Sequence, residues 1–570
     1  MSNKLNIVFC WHMHQPWYRH ANNGEYHLPW VYLHALKDYT DMAAHLENHP
    51  AMRCVVNFTP VLIEQIQDYA AQCTHWLDKG TDFADSLLNY LSGNLTIPSE
   101  SSAREELISH CLRAHAPQMI HPYPNFSYLV NRITLDNDQN KLDKTGIAYL
   151  NDQFFHDLLT WYHISWMGYS LQQTDEVQAL IEQGKDFTSE QRRQLIKLFD
   201  MELNRLLDRY KKLADSGQVE LSMTPYAHPI VPLLIDFKTL KDASPEAAMP
   251  KHPAYPDGLE RAKWHMQHGI EVFENCFGRK PKGIWLSEGA VSEDAVRMLQ
   301  DFDIEWTASG EGVWQNSSFL SGTDLNNEDA RRGLFSCNSL TDCSTRMFFR
   351  DDGLSDMIGF EYQSWDAEHA AKDFANHLSN IHSYIGESTH EHVVSIILDG
   401  ENAWEYYPNN AWHFIDALYR ELTSHDLITP GSFSEASDSC PVNELSKLCA
   451  GSWVYGTFST WMGDADKNLG WDLLIEAKQA FDENIGKLPA RQQEKATLQL
   501  AICEGSDWFW WFGDYNPSDS VRDFDNLYRE QLQQLYKLLK LDIPEVLFQP
   551  VSHGGGNAEN AGTMRRGQDH

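Results

Sequence analysis

The chain has 570 residues, and its 45 Lys and Arg stand against 81 Asp and Glu, a formal net charge of −36. A surface of that sign repels a phosphate backbone, which excludes nucleic acid as a partner class. No stretch approaches the ~20 consecutive apolar residues of a membrane-spanning helix. The length also excludes a single small core, since domains usually run ~100–200 residues and barrels somewhat more, so one large catalytic domain with at least one helical attachment is expected.

The run at 5–10 (Leu-Asn-Ile-Val-Phe-Cys) reads as a first buried strand. His12, His14 and Gln15 break the apolar run too early for a signal peptide. The ten cysteines show no Cys-x-x-Cys spacing, so free thiols and a cytoplasmic protein are expected. His12 and His14, at i and i+2 of an extended segment, point the same way. They could be half of a zinc site, but a third ligand of convincing spacing is not evident. A helical pattern at 31–49 and a second strand at 54–58 follow.

From about 61 to 215 the chain reads as a large helical insertion. Its clearest helix runs over 189–214, with Thr188 and Gln191 spaced as a capping box and Gly217 as the stop. A third strand at 219–225 ends near His228. A helix over 257–277 meets Gly278, and the next apolar run, Gly-Ile-Trp-Leu-Ser-Glu at 283–288, halts at Glu288. Further strands are expected at 305–308, at 346–350 (ending in Asp351, Asp352 and Asp356) and at 393–398, where Val-Val-Ser-Ile-Ile-Leu halts at Asp399. Helices are expected at 292–302, 367–385 and 410–422.

Seven strand-like segments, mostly followed by helices, place the chain in the α/β class as a seven-stranded parallel β/α barrel. The pattern alone leaves an open doubly wound sheet equally possible. No Gly-x-Gly-x-x-Gly or phosphate loop supports a nucleotide. The boundaries expected are a barrel over 1–425, a Ser-, Pro- and Gly-rich linker at 426–441, a helical domain over 442–548 that completes the cleft, and a disordered tail at 549–570.

In such folds the carboxyl ends of the strands open onto the ligand crevice. Two acids delivered there by different strands are what cleavage of a glycosidic bond requires: one attacks or stabilises the anomeric carbon, the other protonates the leaving oxygen. Glu288 and Asp399 are the candidates. Glu401, two residues on, competes with Asp399, and a salt-bridged loop acid is the alternative for Glu288. The 19 tryptophans suit ordinary packing and also the stacking of sugar rings.

Five strings then fall in order: His14-Gln15-Pro16, Thr224-Pro225-Tyr226-Ala227-His228-Pro229, Trp285-Leu286-Ser287-Glu288, Leu398-Asp399-Gly400-Glu401-Asn402-Ala403-Trp404, and Ser459-Thr460-Trp461-Met462-Gly463. In these the chain resembles glycoside hydrolase family 57, the retaining α-glucan enzymes. The resemblance implies a seven-stranded barrel with a helical C-terminal domain, Glu288 as nucleophile and Asp399 as acid/base. It implies sugar contacts from His12, His14, His228, Trp285, Asp356, Trp404 and Trp461, the last a stacking platform lent by the helical region. Trp285, Trp404 and the charge of Glu288 are expected to raise the pKa of Asp399. No metal or cofactor is implied, and the partner is an α-glucan oligosaccharide or polysaccharide. The fourth string resembles the α-amylase and amylopullulanase side, with α-1,4 cleavage expected and α-1,6 cleavage left open. A 4-α-glucanotransferase with the same acids, a zinc-dependent deacetylase or α-mannosidase-like barrel, and a non-catalytic glycan binder are the rival readings. The assembly state is not legible.

Overall fold

The structure, a computed structural model, describes residues 4–135 and 138–556. Ten of the described strands form one curled sheet. They are β1 (Leu5–Met13), β2 (Cys54–Phe58), β3 (Val219–Met223), β4 (Gly283–Ile284), β5 (Trp306–Ser309), β6 (Cys337–Leu340), β7 (Arg346–Phe349), β8 (Val393–Asp399), β9 (Ile428–Pro430) and β10 (Val442–Leu445). The order is β8-β1-β2-β3-β4-β5-β7-β6-β10, with β9 also on β1. Every pairing is parallel except β6 with β7. Strand β8 is buried along its whole length, and β1 everywhere but Asn6. Continuous apolar runs of this kind mark parallel strands covered on both faces.

The seven expected strands are all present, as β1 to β5, β7 and β8. The count is corrected to ten by β6, β9 and β10, which are only three or four residues long and too short and polar to show a period. Past the end of β7, Arg350 forms a parallel bridge to Ser395 of β8, and Asp351 N donates to Ser395 O at 2.8 Å. The curl thus brings β7 back to β8.

Helix α1 (Pro60–Lys79) starts on a proline at its first turn and stops at Gly80, φ 67°. Helix α2 (Ser189–Asp215) carries the Thr188–Gln191 capping box that its sequence spacing predicts. Its buried stripe, including Leu195, Phe199, Leu203, Leu206 and Tyr210, is what fixes so long a helix, since propensity alone stabilises little. Between α1 and α2 the described chain is helical except for a short antiparallel pair, Thr134–Leu135 with Asp138–Leu142. Helix α3 (Gly258–Phe277) ends at Gly278, φ 71°.

The expected linker at 426–441 is not one. It holds β9 and a helix, Phe433–Ser439, with its own Ser432–Glu435 capping box. Phe433 is buried against Trp306 (ring centroids 4.6 Å apart) and Phe348 (4.7 Å). Its Ser, Gly and Pro residues serve as caps and turns of packed elements, which composition cannot distinguish from a tether. An irregular stretch over 446–464 leads to helices α4 (Ala465–Asn484), α5 (Ala490–Cys503), α6 (Asp507–Trp511) and α7 (Ser518–Leu538). The expected disordered tail is corrected in its first part: Val551 and Ser552 are buried, and their amides donate to Asp525 Oδ1 at 2.7 and 3.2 Å. Residues 557–570 lie outside the described residues. The ten cysteines are unpaired. Among the described residues no helix is long and apolar enough to cross a membrane.

Candidate active site

The register of the sheet sets the first half of the site. His12 of β1 lies opposite Asp399 of β8 on one side and Asn57 of β2 on the other. Asp399 is the last residue of its strand and is buried. Asn402 Nδ2 donates to its Oδ2 at 2.8 Å. Burial pushes the Asp399 carboxyl up to about 6, against the opposing pull of Asn402, His14 and Arg350. Burial rather than the Glu288 charge is therefore the main cause.

The second half is a strained turn. Past β4, residues Ser287–Gly289 form one 3-10 turn in which Glu288 has φ 59° and ψ 23°. The left-handed region costs a non-glycine residue roughly 1–2 kcal/mol. Gly289 follows at φ 57°, where a Cβ would stand 2.6 Å from the Trp285 ring. Ala227 and His228 are left-handed too, at φ 57° and 59°, so strain gathers at the strand ends where side chains must be aimed. The turn presents Glu288 Oε2 to Trp453 Nε1, which donates at 2.8 Å. The Trp453 amide donates to Glu288 O at 3.0 Å.

Trp453 and Arg350 join the two halves, and sequence reasoning missed both. Trp453 packs edge-on to Trp285 at 5.2 Å, and the Arg350 guanidinium lies 5.7 Å from the Trp453 ring. Arg350 Nε donates to Ile397 O at 2.8 Å, two residues before Asp399. The other arms of the buried guanidinium meet Asp352 at 2.6 Å and Asp356 at 2.7 Å. Asp356, expected as a sugar contact, thus spends an oxygen on Arg350. Glu311, which follows β5, has its carboxyl pushed up to about 7 by burial and by Asp352 and Asp351.

Three imidazoles line the centre. His14 stacks on His228 with centroids 3.8 Å apart and planes 13° apart. His12 lies 5.7 Å from His14 and 5.5 Å from His228, nearly parallel to both. His12 Nδ1 and Asn57 Oδ1 are 2.7 Å apart. His14 Nε2 donates to Asp507 Oδ1 at 2.8 Å, because a carboxylate can only accept. His228 Nδ1 meets Ser506 Oγ at 2.8 Å, and its buried Nε2 has no partner. Burial lowers His12 to about 3 and holds His228 well below the ordinary range, so both rings are neutral. Glu401, the rival acid, is buried, accepts from His14 N at 3.2 Å and Gln15 Nε2 at 3.4 Å, and is held well above the usual carboxyl range by burial and by Asp399.

Donor atoms of His14, His228 and Asp507 lie within 4.8 Å of one another, a cluster able to hold a metal. Two nearly parallel rings, however, share no point lying in both planes, where an ion ligated by both must sit. His14 Nε2 is also committed to Asp507. The arrangement suits neutral hydrogen-bonding partners such as sugar hydroxyls better than a metal.

The three tryptophans expected at the sugar are covered in this structure. Trp285 and Trp461 are 0% exposed and Trp404 is 1% exposed, so none offers an open face to a sugar ring. Trp404 donates through Nε1 to Gly400 O at 2.8 Å and packs on Trp11. Trp461 lies 5.9 Å from Trp510 within the helical layer. The partly buried Trp453 is the tryptophan in contact with a candidate acid. A separate cavity of about 1260 Å³, lined by residues such as His20, Glu105, Arg113 and Asp519, includes neither Glu288 nor Asp399.

Residues 8–446 match the family model of glycosyl hydrolase family 57. The chain belongs to that family. Solved structures agree in fold. A family 57 branching enzyme from Pyrococcus horikoshii superposes with a TM-score of 0.55 at 16% identity, covering 96% of this chain and 93% of that one. The α-amylase AmyC from Thermotoga maritima gives 0.57 at 13% identity, covering 94% and 93%. The 4-α-glucanotransferase from Thermococcus litoralis gives 0.51 at 14%, covering 94% of this chain and 60% of its own. No curated protein matches the sequence. Family 57 enzymes act on α-glucans, and membership makes this chain an enzyme of the glycoside hydrolase or transferase kind.

Proposed function

We propose that the protein is a retaining α-glucan-active glycoside hydrolase of the α-amylase type, cleaving α-1,4 links by double displacement. The curled, mostly parallel sheet, whose β7 end bridges back to β8 between Arg350 and Ser395, with the C-terminal helices, is the scaffold this reading uses. The observation that carries it is the unlike treatment of two carboxyls at strand ends. Asp399 is raised to about 6 by burial, which keeps a proton available. Glu288 receives an N–H from Trp453 at 2.8 Å, which favours its anion.

In the first step a Glu288 oxygen bonds to C1 of a glucosyl unit while the C1–O bond to the leaving sugar breaks. Asp399 hands its proton to that departing oxygen. In the second step Asp399 takes a proton from water, whose oxygen displaces Glu288 from C1. His12, His14 and His228 supply hydrogen bonds to sugar hydroxyls, and the neutral rings of His12 and His228 add no charge beside the acid.

The test is product analysis on maltoheptaose and pullulan. Only shorter maltooligosaccharides are expected. Longer ones alongside would make the enzyme a 4-α-glucanotransferase, and no new reducing ends or longer chains would overturn the reading. Because Asp399 must enter protonated, kcat/KM is expected to fall about tenfold per pH unit above about 6.

A further inference from the structure

Four consecutive residues link a buried ion-pair cluster to two of the stacked histidines. Glu504, just past α5, is 1% exposed. Its carboxylate accepts from Arg261 Nε at 2.8 Å and Nη2 at 2.7 Å, from His265 Nε2 at 2.7 Å and from Tyr255 OH at 2.6 Å. Arg261 and His265 belong to α3, and the His265 carbonyl accepts from Tyr226 N at 3.0 Å. The cluster is therefore tied to the end of β3 as well. Gly505 brings the backbone so close that a Cβ would stand 2.9 Å from Ala227 O. Ser506 N donates to His228 O at 3.0 Å, and Ser506 Oγ meets His228 Nδ1 at 2.8 Å. Asp507 Oδ1 takes His14 Nε2–H at 2.8 Å.

We propose that Ser506 and Asp507 are positioning residues that act on the sugar through His228 and His14, with Glu504 as their buried anchor. Asp507 fixes the His14 proton on Nε2. Nδ1 is then an acceptor, facing Thr59 Oγ1 at 3.1 Å. A free imidazole exchanges tautomers, and its ring turns about two bonds. A carboxylate on one nitrogen and a hydroxyl on the other remove both freedoms. Ser506 holds the His228 ring from the Nδ1 side, where its hydroxyl can donate or accept, and leaves the buried Nε2 without a protein partner. A helical layer far along the chain thereby sets hydrogen-bond polarity at the ends of β1 and β3. This rests on the reading that the histidines meet the sugar.

The test uses full-length protein labelled with [15N]histidine, with His14→Ala to assign the signals. His14 is expected as the Nε2–H tautomer in the wild type and as a mixture in Asp507→Ala. On maltoheptaose, Asp507→Ala is expected to lower kcat/KM at least tenfold in the wild-type background and less than twofold in the His14→Ala background, because an effect routed through His14 vanishes with it. A general structural role would give equal losses in both backgrounds and a lower unfolding temperature. An unchanged tautomer, or equal losses, overturns the proposal. If the tautomer responds but the wild type leaves maltoheptaose intact, the proposed function falls and the positioning role stands.

Discussion

Two buried carboxyls in this molecule are driven in opposite directions. Asp399 and Glu504 are both out of water, and burial by itself raises both. Asp399 takes a side-chain hydrogen bond from the Asn402 amide at 2.8 Å and ends at about 6. Glu504 has a two-pronged Arg261, His265 and Tyr255, which outweigh its burial and bring it down to about 2. Desolvation sets the starting point, and the number and charge of the donors decide the sign. A carboxyl saturated with donors is a permanent anion and a structural tie. One starved of donors keeps a proton it can give away. Glu504 anchors the segment that reaches the histidines, while Asp399 faces the chemistry.

The largest effect that would break this contrast is on turnover. Glu288→Gln and Asp399→Asn are each expected to lower kcat/KM on maltoheptaose by ~10³-fold or more, since general acid–base assistance alone contributes 10²–10⁴-fold and Glu288 would form the covalent intermediate. Both variants are expected to stay folded, so that a loss of turnover reads the chemistry and not unfolding. Near-normal turnover in both variants would show that the starved carboxyl is not the catalytic one.

Glu504→Gln tests the saturated carboxyl. It leaves Arg261, itself 7% exposed, buried without its anion, and breaking a buried pair costs about 3–5 kcal/mol. Denaturant unfolding at pH 7 should show that loss, and catalysis should weaken as Ser506 and Asp507 lose their anchor. Stability equal to wild type would mean that the cluster is not the tie described. A smaller effect is expected of Trp453→Phe, which keeps a ring beside Trp285 and deletes the N–H given to Glu288. A hydrogen bond to a charged group contributes ~1.5–3 kcal/mol, so kcat/KM should fall roughly 10–100-fold.

The parts legible in the sequence were those with a period or an abrupt change of polarity. The apolar run that halts at Asp399 is a strand end, the run toward Glu288 leaves its strand at Ile284 and turns, and the Thr188–Gln191 spacing is a capping box in the structure. His14 and His228, each just past a strand, do come together. What escaped has no local signature. Trp453 comes from an irregular stretch, and nothing in its neighbours says that it reaches Glu288 across 165 positions. Arg350 reads as a strand end, and its role comes from where the curl of the sheet brings β8. Trp461 sits in a string that resembles a stacking site yet is 0% exposed; a tryptophan's sequence context does not say which of its faces is covered. Asp507 is 493 positions from His14, so their hydrogen bond is a property of the packed fold alone.

The finest test compares Asp399 with its own amide. In the folded chain its carboxyl rises from the ordinary 3.8 to about 6, which corresponds to about 3 kcal/mol spent at pH 8 to hold a buried anion. The sign follows from linkage: the folded state binds the proton more tightly than the unfolded one, so the cost is full above pH 6 and fades as pH falls through 6 toward 4. Asparagine never carries the charge, though it gives up the charge-assisted bond from Asn402. The stability difference between Asp399→Asn and the wild type should therefore move in the variant's favour by about 2 kcal/mol between pH 4.5 and pH 8. Paired denaturant titrations at the two pH values read this directly. An equal gap at both would mean that Asp399 is not held protonated by burial, and the contrast with Glu504 would collapse; a gap that closes on acidification would show an acid kept charged only at a cost to the fold, while Glu504, whose contribution is retained until pH falls from about 4 toward 2, is charged to the fold's benefit.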